Sequence, residues 1–160
     1  MPVYHFTIHA YASWMPDRPE GFYHYRHGYQ PADENLDFLY RDRQRQPRPT
    51  FDEQHQKSLI ESLLETFPFK RVDGYAIATD PTHVHTVCGW RDERTGETLR
   101  ERLKHAMSLR LNKEFEHRTW FSRGGDITKI ENDEHLAHVC DVYLPDHVGW
   151  KWDRYRGWYR

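Results

Sequence analysis

The feature that most limits how this chain can fold is the order in which its hydrophobic period switches. Residues 3 to 11, VYHFTIHAY, alternate, with Tyr4, Phe6, Ile8 and Ala10 on one side and His5, Thr7, His9 and Tyr11 on the other. A period of two marks a half-buried strand. Leu59, Ile60, Leu63, Leu64 and Phe67 recur instead at three-and-four spacing ahead of Pro68. Thr50 and Glu53 in front of them have capping-box spacing, so a first helix is predicted. KRVDGYAIATD and THVHTVCGW are β-rich runs broken at Asp80-Pro81, which predicts an antiparallel pair with a short turn. A second capping-box spacing, Thr98 with Glu101, opens a segment whose Leu99, Leu103, Ala106, Met107, Leu111 and Phe115 form an apolar stripe, a second helix. GGDITKIE reads as a short strand after a Gly-Gly bend. Asn132, Asp133 and Glu134 then start a third helix over DEHLAHVCDVYL, which Pro145 ends or kinks.

Strand, helix, strand, strand, helix, strand and an appended helix is the ferredoxin-like (RRM-like) βαββαβ pattern, an α+β fold. At 160 residues the chain has room for one such core and is short for two, so residues 1–160 are expected to form a single domain. The exception is a polar stretch at about 15–50 with five prolines and no sustained periodicity, which reads as a surface loop excursion. No 18-residue apolar run occurs, and MPVYHFTIHAYASW lacks a basic segment followed by an apolar one. Neither a membrane span nor a signal peptide is therefore expected, and the cytoplasm is the default location. Cys88 and Cys140 are too few for a disulfide framework or a four-thiolate zinc site and are expected to be buried and reduced.

One face of a ferredoxin-like sheet is covered by its helices and the other is available to ligands. In THVHTVCGW, Val84, Thr86 and Cys88 suit the covered side, which puts His83, His85 and Val87 on the open one. With 12 histidines in the chain, chance alone supplies roughly one His-x-His triplet. Two imidazoles at i and i+2 on one strand face can nevertheless chelate a single ion. The first strand lies beside the third in this arrangement, so His5, Thr7 and His9 fall on the same side, where His5 and His9 are expected to be exposed sheet polarity. Tyr143 and His147 are four apart, which puts a phenol and a third imidazole on one helix face. Taken by itself, Tyr143 also fits a core aromatic position.

A formal net charge of −2 does not advertise a nucleic-acid partner, but the distribution is uneven. Residues 98 to 129 hold eight Lys/Arg against four acids, and the tail after His147 holds four against Asp153. A positive face on the C-terminal half is one reading, and an ordinary solvated surface is the other. Lys104, Arg110 and Arg123 are candidates for phosphate contact, and Trp120, Trp150, Trp152 and Arg154 for stacking and backbone contact with unpaired bases. Core packing for the tryptophans and solubility for the cations fit these residues too.

In combination, His83-Val84-His85 after a strand, the Lys/Arg-bearing second helix, WFSRGGDITKI and the terminal DVYLPDHVGWKW resemble the HUH single-tyrosine transposases, especially the REP-associated tyrosine transposases and their transposase-like relatives. TIHAYASWMPDRPEG is similar to the opening strand and Trp-containing loop of those relatives. The resemblance covers nearly the whole chain apart from residues 22–50. It implies a metal-dependent single-stranded DNA endonuclease and strand transferase, active in DNA transposition or domesticated from it. By position His83 and His85 match the histidine pair that binds a divalent ion, magnesium or manganese, Tyr143 the nucleophile and His147 the further ligand. Two positions depart from many relatives: Val142, not a tyrosine, follows Asp141, and His147 stands where Asn or Gln is usual. The implied partner is single-stranded or hairpin DNA, with no membrane and with a homodimer allowed.

Two other readings of the same residues stay open. A zinc-dependent hydrolase would use His83, His85 and His147 as a three-imidazole site, since imidazole suits zinc better than magnesium. A non-catalytic DNA-binding protein would keep the fold with a misplaced tyrosine.

Overall fold

The computed structural model describes residues 1–13, 22–24 and 27–160. In chain order the elements are β1 (Val3–His9), β2 (Phe22–His24), β3 (Gly28–Gln30), α1 (Glu34–Arg43), α2 (Glu53–Lys70), β4 (Val72–Asp80), β5 (His83–Trp90), α3 (Gly96–Glu114), β6 (Asp126–Lys129) and α4 (Asp133–His138). A π turn (Val139–Tyr143), a 3-10 turn (Leu144–Asp146), β7 (Lys151–Asp153) and β8 (Gly157–Tyr159) complete the chain. The main sheet is antiparallel throughout, in the order β6-β1-β5-β4-β7-β8. Its first four members are the strands expected from the periodicity, in the spatial order fourth, first, third, second, so the α+β fold and the pairing of first with third strand hold. Among the described residues no helix is long and apolar enough to cross a membrane.

Helices α2 and α3 lie on one face of the sheet. Phe6 and Ile8 from β1 and Val84 and Cys88 from β5 are buried there against Leu59, Ile60, Leu63, Leu99, Leu103 and Met107, as the alternation requires. The helix starts differ from the expected caps. Asp52, not Thr50, caps α2 by accepting from the His55 amide at 3.0 Å, because Phe51 between them is fully buried and its amide is held by Pro81 O. Thr95, not Thr98, caps α3, and its hydroxyl takes the Thr98 amide at 3.2 Å. Helix α2 also runs two residues beyond Pro68 and stops where Arg71 turns left-handed at φ 53°.

The face expected to be open is largely covered. Ala76, Ala78 and Val87 present small side chains on this side of β4 and β5, and Leu144, Val139 and Ile130 pack on them as a second hydrophobic cluster. The third helix is therefore not one helix. Pro145 has no amide to return to the Asp141 carbonyl and its ring crowds that oxygen. The chain widens into the π turn, in which the Leu144 amide bonds Val139 O, and then tightens into the 3-10 turn. Beyond it the basic tail forms the β7–β8 hairpin on the edge of β4. Gly149 makes that approach, since its amide bonds Thr79 O at 3.1 Å and a Cβ there would collide with the same oxygen.

The polar stretch at about 15–50 is more than a loop. It contains the β2–β3 hairpin and α1, which is capped by Asp33 accepting from the Leu36 amide at 2.9 Å. No apolar stripe announces α1: Phe38 and Leu39 point to solvent, and among its described side chains the buried one is Asp37, paired with Arg41. Trp14 and the rest of the expected Trp-containing loop lie outside the described residues.

Leu144 is the seat of the second cluster and is fully buried. Leu144→Ala is expected to lower the unfolding free energy in urea by about 2–5 kcal/mol. A loss well under 1 kcal/mol would mean that the turn segment is not anchored there.

Candidate metal and tyrosine site

The site is assembled where the covered face of β5 meets the turn segment. Register places Thr7 opposite His85 and His9 opposite His83, while on the other side Ala78 and Asp80 of β4 are their partners. Four strand residues of one face thus surround the pair. His147 arrives from above, on the extended residue that ends the 3-10 turn. Its amide bonds Leu144 O at 3.2 Å, and Lys151, buried on β7, donates to its carbonyl at 2.6 Å. One nitrogen from each of His83, His85 and His147 lies within 4.8 Å of the others.

In all three rings Nδ1 faces a protein partner. His147 Nδ1 lies 3.2 Å from the carbonyls of Tyr143 and Leu144, and His83 Nδ1 is 3.1 Å from Thr82 Oγ1. His85 Nδ1 is 2.9 Å from His5 Nε2 and 3.1 Å from Thr7 Oγ1. His85 is 2% exposed, yet its Nε2 has no hydrogen-bond partner among the described residues. A buried polar atom left orphaned in a cluster of imidazoles is the arrangement a cation completes, with Nδ1 orienting each ring from behind. The donor set and the orphaned nitrogen fit a divalent metal ion, which His83, His85 and His147 would hold.

Burial, and then the neighbouring imidazoles, push His85 well below the usual histidine range. Burial also lowers His5 to about 4, with His147 adding to the effect and Asp126 opposing it. These two rings stay neutral at physiological pH, the form that binds metal. Tyr143 stands at the mouth, 43% exposed, with its ring centroid 5.6 Å from His85, 5.1 Å from His147 and 5.7 Å from His5. Burial raises its phenol pKa, and Asp126 and Asp80 raise it further. The phenol is a weak nucleophile unless a cation is near. Beside it opens a cavity of about 270 Å³ lined by Thr7, His9, Ser13, Thr82 and Asp126 together with His83, His85 and Tyr143.

The structure brings Tyr143, His83, His85 and His147 together and leaves the other anticipated residues elsewhere. Lys104 is 8% exposed, and its ammonium is shared among Ser122 O, Gly124 O and Glu101, so no donor is left for a phosphate. Arg110 is held by Glu61, Glu65 and Glu114 between α2 and α3. Trp120 is core, bonding Asn112 through its indole at 2.8 Å. Trp150 and Trp152 pack on the core beneath the helices, and Lys57 lies over the Trp150 ring. Arg123 is exposed on the loop before β6. Arg154 is also exposed and lies flat over Tyr75, 3.8 Å from its centroid. Cys88 is buried and Cys140 partly so, both reduced. Residues beside the site that carried no motif include His5 and Thr7, which touch His85, and Lys151, which holds His147. Strand alternation put the first two on the correct face; only the register could show that they reach a ligand ring.

Rings kept neutral by burial tie stability to pH. The folded pKa of His5 lies below the unfolded 6.5, so the unfolded chain binds the proton more readily and stability falls as pH drops below about 6.5. Urea unfolding of metal-free protein at pH 7.5 and pH 5 is expected to differ by on the order of 2 kcal/mol from His5, with His85 adding in the same direction. Equal stability at the two values would contradict the burial of neutral rings.

No protein-family model matches the sequence, and no curated protein matches it. Among solved structures the chain is similar to a REP-associated tyrosine transposase bound to a REP hairpin, with a TM-score of 0.50 and 12% identity. The match covers 89% of this chain and 64% of that one, so the chain spans less than two thirds of the length of that structure. At this identity the likeness is one of fold: the chain has the α+β architecture of a REP-associated tyrosine transposase.

Proposed function

We propose that the protein is a divalent-metal-dependent single-stranded DNA endonuclease and strand transferase with Tyr143 as its nucleophile. The observation that carries this reading is the convergence of Tyr143 on His83, His85 and His147, with the buried Nε2 of His85 without a partner among the described residues. A phenol beside three imidazoles at the mouth of a cavity suits attack on an electrophile that a cation polarises. A divalent ion held there, magnesium or manganese, would stabilise the charge that develops on a scissile phosphate. The partner is single-stranded or hairpin DNA. The similarly folded transposase was solved with a hairpin bound, and Arg123 is an exposed cation that could meet a backbone.

In this reading the Tyr143 oxygen forms a bond to phosphorus as its proton leaves to solvent. The bond from phosphorus to the 3′ oxygen breaks, and that oxygen takes up a proton. The products are a 5′-phosphotyrosine and a free 3′-OH. Because the phosphodiester is conserved as the tyrosyl ester, a second 3′-OH can reverse the step and join strands without a nucleotide cofactor. His147 and Tyr143 sit on one short turn, whose backbone also accepts the His147 ring. Ligand and nucleophile are thereby held at a set separation.

The three-imidazole set also favours a second reading, a zinc hydrolase in which water and not Tyr143 attacks. Incubation with hairpin-bearing single-stranded DNA and manganese separates the two. The first reading gives a protein–DNA band resistant to SDS, with the DNA mapped to Tyr143 and lost in Tyr143→Phe. Cleavage without adduct, undiminished by Tyr143→Phe, would establish the hydrolase instead. Binding without cleavage under any metal would leave a DNA-binding protein.

A further inference from the structure

We propose that His5, together with Thr7, is a positioning residue that sets the tautomer of His85, so that its Nε2 is presented unprotonated to the ion; this rests on the metal-site reading above. Two nitrogens 2.9 Å apart, His5 Nε2 and His85 Nδ1, share one hydrogen, and two arrangements of it exist. If His5 donates, the proton of His85 must sit on Nε2, where the described residues offer no acceptor. A buried N–H without an acceptor is among the rarest defects of folded proteins. If His85 donates, His5 Nε2 and Thr7 Oγ1, the latter at 3.1 Å, both stand ready to accept from Nδ1. His85 Nε2 is then a bare lone pair, the state a cation needs. The second arrangement leaves the smaller defect without a metal and none with one.

The strand register makes the device. Thr7 is directly opposite His85 and His5 is opposite Val87, so the two acceptors lie on successive same-face positions of β1 and straddle the ligand ring. His5 is further fixed by its edge contact with Tyr143, at 5.7 Å between centroids. One ring therefore orients a metal ligand and borders the nucleophile. His147 has its own counterpart in the carbonyls of its turn and in Lys151. The partners of the His85 ring differ from the carbonyls that hold the His147 ring in being side chains, which substitution can remove one at a time.

The test begins with the metal-free wild type. Long-range ¹H–¹⁵N correlation at pH 7.5 is expected to show His85 protonated on Nδ1 alone; protonation on Nε2 would overturn the proposal. His5→Phe keeps the ring against Tyr143 and removes the acceptor, and Thr7→Val removes the other. The double variant is expected to weaken manganese binding in calorimetry by about 10- to 100-fold and to convert part of His85 to the Nε2–H form. His5→Gln, whose amide oxygen accepts, should hold both tautomer and affinity close to wild type. Should the double variant unfold, the wild-type tautomer and the His5→Gln affinity still decide. Unchanged manganese affinity in the double variant would refute the role of His5 and Thr7. Unchanged affinity in His85→Ala as well would refute the metal site itself, so the two failures are distinguishable.

Discussion

The site depends on one packing contact, Leu144 seated on the small side chains of β4 and β5. Ala76, Ala78 and Val87 leave a shallow bed on the sheet face. Only because that bed is apolar and low can the turn segment lie close enough for His147 and Tyr143 to reach rings that project from β5. Cluster and chemistry share the same few residues: Ala78 is the cross-strand neighbour of His85, and Leu144 accepts from the His147 ring and amide. Bulky residues at Ala76 or Ala78 would lift the segment and separate Tyr143 and His147 from His83 and His85 without altering any of the four.

The same burial opposes stability. Imidazoles withdrawn from water lose their charged forms, and His85 leaves a polar nitrogen unsatisfied among the described residues. Such a defect persists where the surrounding packing over-determines it, and it accumulates at functional sites. The π turn belongs to the same pattern. A widened turn is less favourable than a regular helix and is found mostly at functional positions. Here it carries Tyr143 at its last residue, so that the phenol and His147 look toward the sheet.

How much of this the sequence disclosed follows from what each signal measures. Alternation and three-and-four spacing report burial on one face, and they locate β1, α2 and α3 because those elements bury one; β4 and β5 are legible as β-rich runs and β6 only by the Gly-Gly bend before it. Among its described side chains helix α1 buries no apolar one fully, and Phe38 and Leu39 face solvent, so they give no period to read. The His83 and His85 pair, Tyr143 and His147 were legible through spacing and family resemblance, since four residues on one turn or two on one strand are local facts. Alternation leaves His5 as exposed polarity because it gives the face and not the cover; the segment that covers it lies more than a hundred residues later in the chain. For Lys104, Arg110 and Trp120 the sequence leaves DNA contact and packing or solubility both open, for a related reason. Composition shows a charge or a ring but not the carbonyls, carboxylates and amide that occupy it.

The central claim is that strand and turn ligands converge on one ion beside Tyr143. Anomalous diffraction from crystals soaked in manganese tests it most directly. The account predicts an anomalous peak about 2.0–2.3 Å from one nitrogen each of His83, His85 and His147, with Nε2 as the His85 atom and the Tyr143 hydroxyl facing the peak. A peak bound by other residues, or no peak at saturating manganese, would contradict it.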